Sequence, residues 1–348
     1  MPSSYDAILI LSFGGPEGMD DVLPFLQNVT RGRNVPAERL AEVAHHYEMF
    51  GGVSPLNGQN RSIIERLKKE LASAGSTLPV YWGNRNWHPF LKDTLKQMES
   101  DGIKSALAFV TSAYSSYSSC RQYLEDIERA RAETSCEIKI DKIRPFYNHP
   151  LFVEANQAQI KSAMQTMTAE QKADLTVVFT AHSIPMSMAN NCRYSAQLKE
   201  ICGLIASREG LNNWHLAYQS RSGPPAVPWL EPDILDLIRQ LHKSGMKNLL
   251  IQPIGFVSDH MEVIYDLDYE AKELCKELGI EMWRAGTAGT TTEFIKMIQE
   301  LIQERIGNDI EPRFLGEAGA LAAACQPDCC PVGATRPAVG SGTQENKQ

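Results

Sequence analysis

Short aliphatic, β-branched runs alternate with longer amphipathic stretches from one end of this 348-residue chain to the other. Candidate strands lie at residues 7–12, 78–83, 106–112, 137–143, 175–181, 215–220, 248–254 and 281–285. Helical patterns such as 61–74 and 232–243 separate them; in the latter Ile234, Leu235, Ile238 and Leu241 recur at helical spacing. Few of the strand runs alternate polar with apolar residues, which predicts strands covered by helices on both faces, hence βαβ units and parallel sheets. Eight strands divide into two halves of four, with a boundary near 148–150. The expectation is an α/β protein with domains at 1–150 and 151–310 and a cysteine-bearing, partly disordered tail at 311–348. No residue-level repeat links the halves.

A net charge of −8 lacks the basic footprint that phosphate backbones need, so nucleic acid is not an expected partner. No apolar run approaches the roughly 18 residues of a transmembrane helix. The start, MPSSYDAILILSFGG, has no basic n-region and reads as a first strand rather than a signal peptide. The cytoplasm is therefore the expected location, and a monomer is the expected state. Eight cysteines in that compartment argue against a disulfide framework, so clustered ones read as metal ligands or free thiols.

Residues 253–270 (PIGFVSDHMEVIYDLDYE) read as a strand end, a loop with a histidine, and a helix carrying Glu262, Asp266 and Glu270. On a regular α-helix this spacing drifts only about 40° per step, so the three carboxylates form one stripe. Two readings are open: a metal or proton path leading to Glu262, or a solvated face, and the spacing alone favours the second. Context adds weight to the first. The candidate strands end in polar loops at 12–16, 111–117, 181–185, 219–223 and 256–260, and in open parallel sheets such ends face the ligand crevice. Gly14-Gly15-Pro16 lacks both the G-x-G-x-x-G and the GK[ST] patterns and reads as a tight turn. His182, at a strand end, is either a hydrogen-bonded structural residue or, with Glu262 arriving from another strand end, half of a base-and-ligand pair. His45, His46 and His88 have no ligand spacing and read as surface or core residues.

Cys325, Cys329 and Cys330 (C-x-x-x-C-C) fall within six residues of the tail, a poor choice for an exposed surface because thiols oxidise. A cluster of iron and sulfur takes four thiolates, so a fourth must come from the body. Cys192 is the leading candidate, with Cys120 and Cys202 behind it. Zinc competes with iron for such a site. Its simplest role is to pin the tail.

The segments LILSFGGPE, GGVSPLNGQN, VFTAHSIP, YQSRSGPPAVPWLEPD and PIGFVSDHMEVIYDLDYE resemble the ferrochelatase family, in matching order, over about residues 5–305. AHSIP together with GF-V-x-DH-x-E-V is highly specific, and the tail is similar to the cysteine-bearing extension of actinobacterial-type members. The resemblance implies two Rossmann-like, chelatase-type domains with a porphyrin cleft between them. The implied activity is insertion of Fe(II) into coproporphyrin III to form coproheme, with protoporphyrin IX as the alternative substrate and a non-catalytic tetrapyrrole or iron carrier as a reading from another class.

Carried over residue by residue, His182 and Glu262 become the catalytic pair and Asp266 and Glu270 a proposed metal or proton path. Arg31, Ser54, Tyr123 and Ser220 fall where members hold porphyrin carboxylates or line the cleft. Cys192, Cys325, Cys329 and Cys330 become ligands of a 2Fe–2S cluster. Phe13 stands where some members carry an iron-ligating tyrosine. Phe13, Tyr114, Trp229 and Phe256 are candidate apolar walls or plain core. The segment HHYEMFGGVSPLNGQNRSIIERL lacks the apolar lip of membrane-associated members, which favours the four-propionate substrate.

Overall fold

A computed structural model of the chain describes residues 5–32, 35–223, 226–307, 310–322, 326 and 328–332. All eight expected strands are present: β1 Ala7–Ser12, β2 Val80–Asn84, β3 Ser105–Val110, β4 Lys139–Lys142, β5 Leu175–His182, β6 Trp214–Gln219, β7 Asn248–Gln252 and β8 Glu281–Arg284. They form two parallel four-stranded sheets, ordered β2-β1-β3-β4 and β6-β5-β7-β8. The second order is the first shifted by four, so the halves repeat a topology that their residues do not advertise. In each sheet the chain reverses its direction of travel at the two central strands, and ligands of open α/β sheets bind outside the carboxyl ends at that point.

The sheets back onto a common helical layer. One buried cluster takes Ile8, Ile10, Leu107 and Phe109 from the first sheet and Val177, Phe179 and Leu250 from the second. Between them lie Ile63 and Leu67 of the helix Pro55–Ser73 (α3 below), Phe152 and Ile160 of Pro150–Met164, and Phe294 and Ile298 of Thr292–Ile306. The opposite faces have their own clusters, around Leu9 and Val110 in one sheet and Val178 and Ile251 in the other. Apolar burial on both faces explains why the strand runs do not alternate.

Ahead of α3 come α1 (Met19–Val29) and α2 (Ala37–Glu48). Val22, Phe25 and Leu26 of α1 and Tyr47 of α2 share a cluster with Met261, so this pair of helices reaches the second half beside Glu262. Tyr114, weighed as a cleft wall, is core: its side chain is buried and its hydroxyl donates to the Ile254 carbonyl at 2.6 Å, tying the end of the first sheet to the loop after β7. Among the described residues no helix is long and apolar enough to cross a membrane.

Candidate active site

His182 is the last residue of β5. β7 stops at Gln252 because Pro253 has no N–H to continue the ladder, and the loop that follows runs back across the end of β5. Gly255 makes that crossing: a Cβ there would lie 2.5 Å from the Ala181 Cβ, and its N–H donates to the Thr180 carbonyl at 3.0 Å. Only glycine permits so close an approach. The crossing delivers Glu262 to His182, with 3.5 Å between Oε2 and Nε2. His260 Nδ1 stands 3.8 Å from the same carboxylate oxygen, and the His260 ring packs edge-on to Phe256.

Electrostatics follow from this geometry. Burial opposes a charge on His182, but the Glu262 carboxylate outweighs it, helped by the Ser183 carbonyl against Nδ1 and by Asp266, and the imidazole is pushed up to about 9. Burial would raise Glu262, yet His182 and then His260 bring it down to about 2. The pair is an imidazolium–carboxylate couple at neutral pH. Side-chain exposures of 33% and 53% show that both groups reach solvent, so the pair adds little to the stability of the fold. Burial, followed by the nearby Glu262 charge acting against it, leaves His260 below its usual value, as a neutral imidazole at pH 7.

The helix beyond Glu262 is not regular. After one turn at Met261–Val263 it widens into a π-helix over Ile264–Ala271, so the even angular drift of an α-helical stripe does not hold. Such π segments, bonded i to i+5, are rare and recur at functional sites. Asp266 is held from the second strand end: the Ser220 hydroxyl and Gln219 Nε2 (3.3 Å) both donate to its Oδ2, and Gln219 also donates to the Glu262 carbonyl at 3.2 Å. Burial, with Glu262 and Glu270 nearby, pushes Asp266 up to about 7 despite the Ser220 hydrogen bond. Glu270 is raised by burial and by Asp233. The line therefore runs from a firmly ionised carboxylate to groups that hold protons more readily.

The residues carried over as porphyrin contacts have diverse settings. Arg31 is exposed, its Nη2 donating to Asn28 Oδ1 at 2.5 Å. Ser54 is buried and caps α3, accepting from the Leu56 N–H. Tyr123 is buried with the Arg85 guanidinium 4.6 Å from its ring centre. Ser220, at φ 60°, donates its hydroxyl to Asp266 Oδ2 and keeps its acceptor lone pairs. Phe13 is 38% exposed at the end of β1, edge-on to Phe25 at 6.2 Å and 5.9 Å from the Arg85 guanidinium. Phe256 is buried against His260, and Trp229 is part-buried against Gly223.

Sequence reasoning passed over three residues. His260 carried a signal, two positions before Glu262 in the same strand-end loop. Arg85 carried none; it is drawn under Phe13 by a 2.8 Å pair with buried Asp126. His46, read as surface or core, stacks flat on Tyr265 of the π-helix, with ring centres 3.6 Å apart at 9°.

In the tail, Cys329 and Cys330 bring their sulfurs to 3.5 Å. Burial, then Cys329, Cys120 and Cys192 in turn, raises the Cys330 thiol. Cys202 is fully buried in the helix Tyr194–Glu209, within the central core. Cys325 lies outside the described residues, and among those described no group of three or more His, Cys, Asp or Glu side chains forms a metal-binding arrangement.

Two sheets of like topology with a histidine–carboxylate pair at the second switch point define a chelatase-type α/β protein. Two solved structures share the fold: SirB from Bacillus subtilis with Fe3+ (TM-score 0.53, 13% identity) and the sirohydrochlorin chelatase SirB from Bacillus subtilis subspecies spizizenii in complex with cobalt (TM-score 0.51, 10% identity), each alignment covering 87% of this chain and 96% of the other. The ferrochelatase family model matches residues 5–306, and the chain belongs to the ferrochelatase family. It is 53% identical over 340 residues to a ferrochelatase of Rhodopirellula baltica, covering 97% of each chain. It is 46% identical to a coproporphyrin III ferrochelatase of Streptomyces coelicolor (97% of this chain, 96% of that one) and 48% identical to one of Nocardia farcinica (89% and 91%).

Proposed function

We propose that this protein inserts Fe(II) into coproporphyrin III, forming coproheme and releasing two protons. The observation that carries the reading is the His182–Glu262 couple at the switch point of the second sheet in a chain of this family. Support for the four-propionate substrate comes from the names of relatives at 44–48% identity over most of the chain.

Metallation needs Fe(II) stripped of part of its water, two pyrrole protons removed and a ring bent enough to expose its nitrogen lone pairs. Glu262, ionised at every physiological pH, offers oxygen to the incoming cation. A cation at Glu262 competes with the imidazolium, so His182 sheds its proton as the metal arrives and becomes a base or ligand for the next step. Asp266, with an affinity for protons near neutrality, receives and passes on the released proton, and Glu270 extends the route. Arg31, Ser54, Tyr123 and Ser220 are proposed at the propionate edge, Arg31 by charge-assisted hydrogen bonds. Phe13 and Phe256 face the macrocycle.

The same reading gives the chain two domains, 1–150 and 151–310, and a tail at 311–348, acting as a cytoplasmic monomer. Cys192, Cys329 and Cys330, with Cys325, are proposed to hold a 2Fe–2S cluster. Among the described thiols, Cys329 and Cys330 stand 3.5 Å apart, and the Cys330 thiol is raised by burial, then by Cys329, Cys120 and Cys192. Such a cluster would pin the tail to the body. Protein purified without oxygen should show thiolate-to-iron absorption that Cys330→Ser removes; colourless protein with stoichiometric zinc would refute the iron assignment.

Anaerobic turnover with Fe(II) tests the substrate directly. Coproporphyrin III should be metallated much faster than protoporphyrin IX; the reverse order overturns the substrate, and metallation of neither overturns the activity.

A further inference from the structure

The motif GGVSPLNGQN supplies Ser54 to the reading above, but its amides point to a second role. Asn57 and Asn60 lie one turn apart on α3 and face the first sheet. Asn57 Nδ2 donates to the Gly15 carbonyl at 3.0 Å and to the His88 carbonyl at 3.4 Å. Asn60 Nδ2 donates to Ser12 Oγ at 2.8 Å, and that hydroxyl donates in turn to Asn84 Oδ1 while accepting from Trp82 Nε1 at 3.1 Å. Asn57, Asn60, Ser12 and Asn84 are all within 1% of complete burial. Gly15 packs so closely on Ser54 that a Cβ would come within 2.7 Å of the Ser54 Cβ. Asn60 Oδ1 alone in this group is left without a partner, and the remaining buried hydrogen bonds rigidify what they hold, here the turn carrying Phe13.

Gln59 projects from the same helix toward the other half. Its Oε1 accepts from the Asp259 N–H at 3.0 Å, one residue before His260 and three before Glu262. Lower on α3, Arg66 donates to the Thr290 carbonyl and to Thr292 Oγ1 at 3.0 Å. Ile63, Leu67 and Leu71 sink the helix into the central core. One rigid element thus grips the Phe13 turn on one side and the His260–Glu262 loop on the other.

We infer that α3 sets the gap between the two walls of the cleft, and that Gln59 is a positioning residue acting through the Asp259 amide. The inference rests on the metallation reading, because a fixed gap matters most where binding must bend a flat ring instead of widening its container. Asn57 and Asn60 hold the neutral wall, and Gln59 ties the reactive wall to the same helix. Placement errors of about 1 Å can cost roughly a hundredfold in rate. A single part-buried acceptor should matter less than that.

The test compares Gln59→Met, which keeps the length and loses the acceptor, with Gln59→Glu, which retains an acceptor oxygen. For Fe(II) and coproporphyrin III, the Met variant should lose about tenfold in kcat with the porphyrin KM within about twofold, while the Glu variant stays near wild type. Resonance Raman of bound porphyrin should show weaker out-of-plane ring modes in the Met variant alone. A Met variant with unchanged kcat, or a Glu variant impaired equally, overturns the role of Gln59 while leaving the metallation reading intact. If wild type turns over neither porphyrin, the metallation reading fails on its own, and the Raman lines decide whether Gln59 still sets the gap.

Discussion

The two sheets share a strand order but not a chemistry. At the first switch point the strand ends carry Ser12, Phe13, Gly14 and Gly15, with neutral amides behind them. At the second they carry His182, His260 and Glu262, with Asp266 one step further. The same backbone geometry carries an aromatic ring and buried amides in one half and, in the other, a histidine–carboxylate pair proposed to handle protons and the cation. The lesson is that topology determines where reacting groups can stand, while a few side chains decide which half does the chemistry.

The sharpest way to break this division is at the charged wall. Glu262→Gln should reduce metal insertion by about 10²-fold or more, the usual scale for losing a group that handles protons in the reaction. It should also let the His182 imidazole fall back from about 9 toward its ordinary value, a shift visible in an NMR titration. Equal rates in the variant and wild type would erase the distinction between the walls.

On the neutral wall the effect should be smaller and of another kind. Phe13→Ala should raise the porphyrin KM by about tenfold, in line with about 1.4 kcal/mol of lost apolar contact, and lower kcat less. A kcat loss as deep as that of Glu262→Gln would mean both walls are reactive.

The smallest effect concerns Asp266 and stability. Its pKa is raised on folding, so its ionisation disfavours the folded state, and this cost grows as pH rises from the unfolded value of 3.8 up through about 7. Asp266→Asn should therefore raise Tm at pH 8, and the gain should shrink by pH 5. His182 works in the same direction, through a favoured charge rather than a disfavoured one: its raised pKa contributes stability that is complete below 6.5 and lost as pH passes 9. A pH-independent change in Tm would contradict the placement of Asp266 in a desolvated line.

Much of this was legible before any coordinates. Buried strand runs are distinctive when helices cover both faces, and every expected strand formed, with ends moved by no more than two residues. β7 is an instructive case: the apolar run continues to Ile254, but Pro253 ends the ladder at Gln252. His182 and Glu262 could be paired because both belong to strand-end loops. Three features were out of reach. The π-helix was invisible because polar spacing does not distinguish i+4 from i+5 bonding. Tyr114 could face cleft or core, and the decision lay with Ile254, 140 residues away. Gln59 meets Asp259 across 200 residues, a distance over which no local pattern carries information.

In the proposed function the second switch point performs metallation while the rest of the cleft holds the ring. The direct measurement is His182→Ala, assayed anaerobically for Fe(II) insertion into coproporphyrin III and, in parallel, for porphyrin binding by Soret titration. Insertion should fall below detection while the binding constant stays within about threefold of wild type. Insertion persisting at a rate comparable to wild type, or binding and insertion lost together, would contradict it.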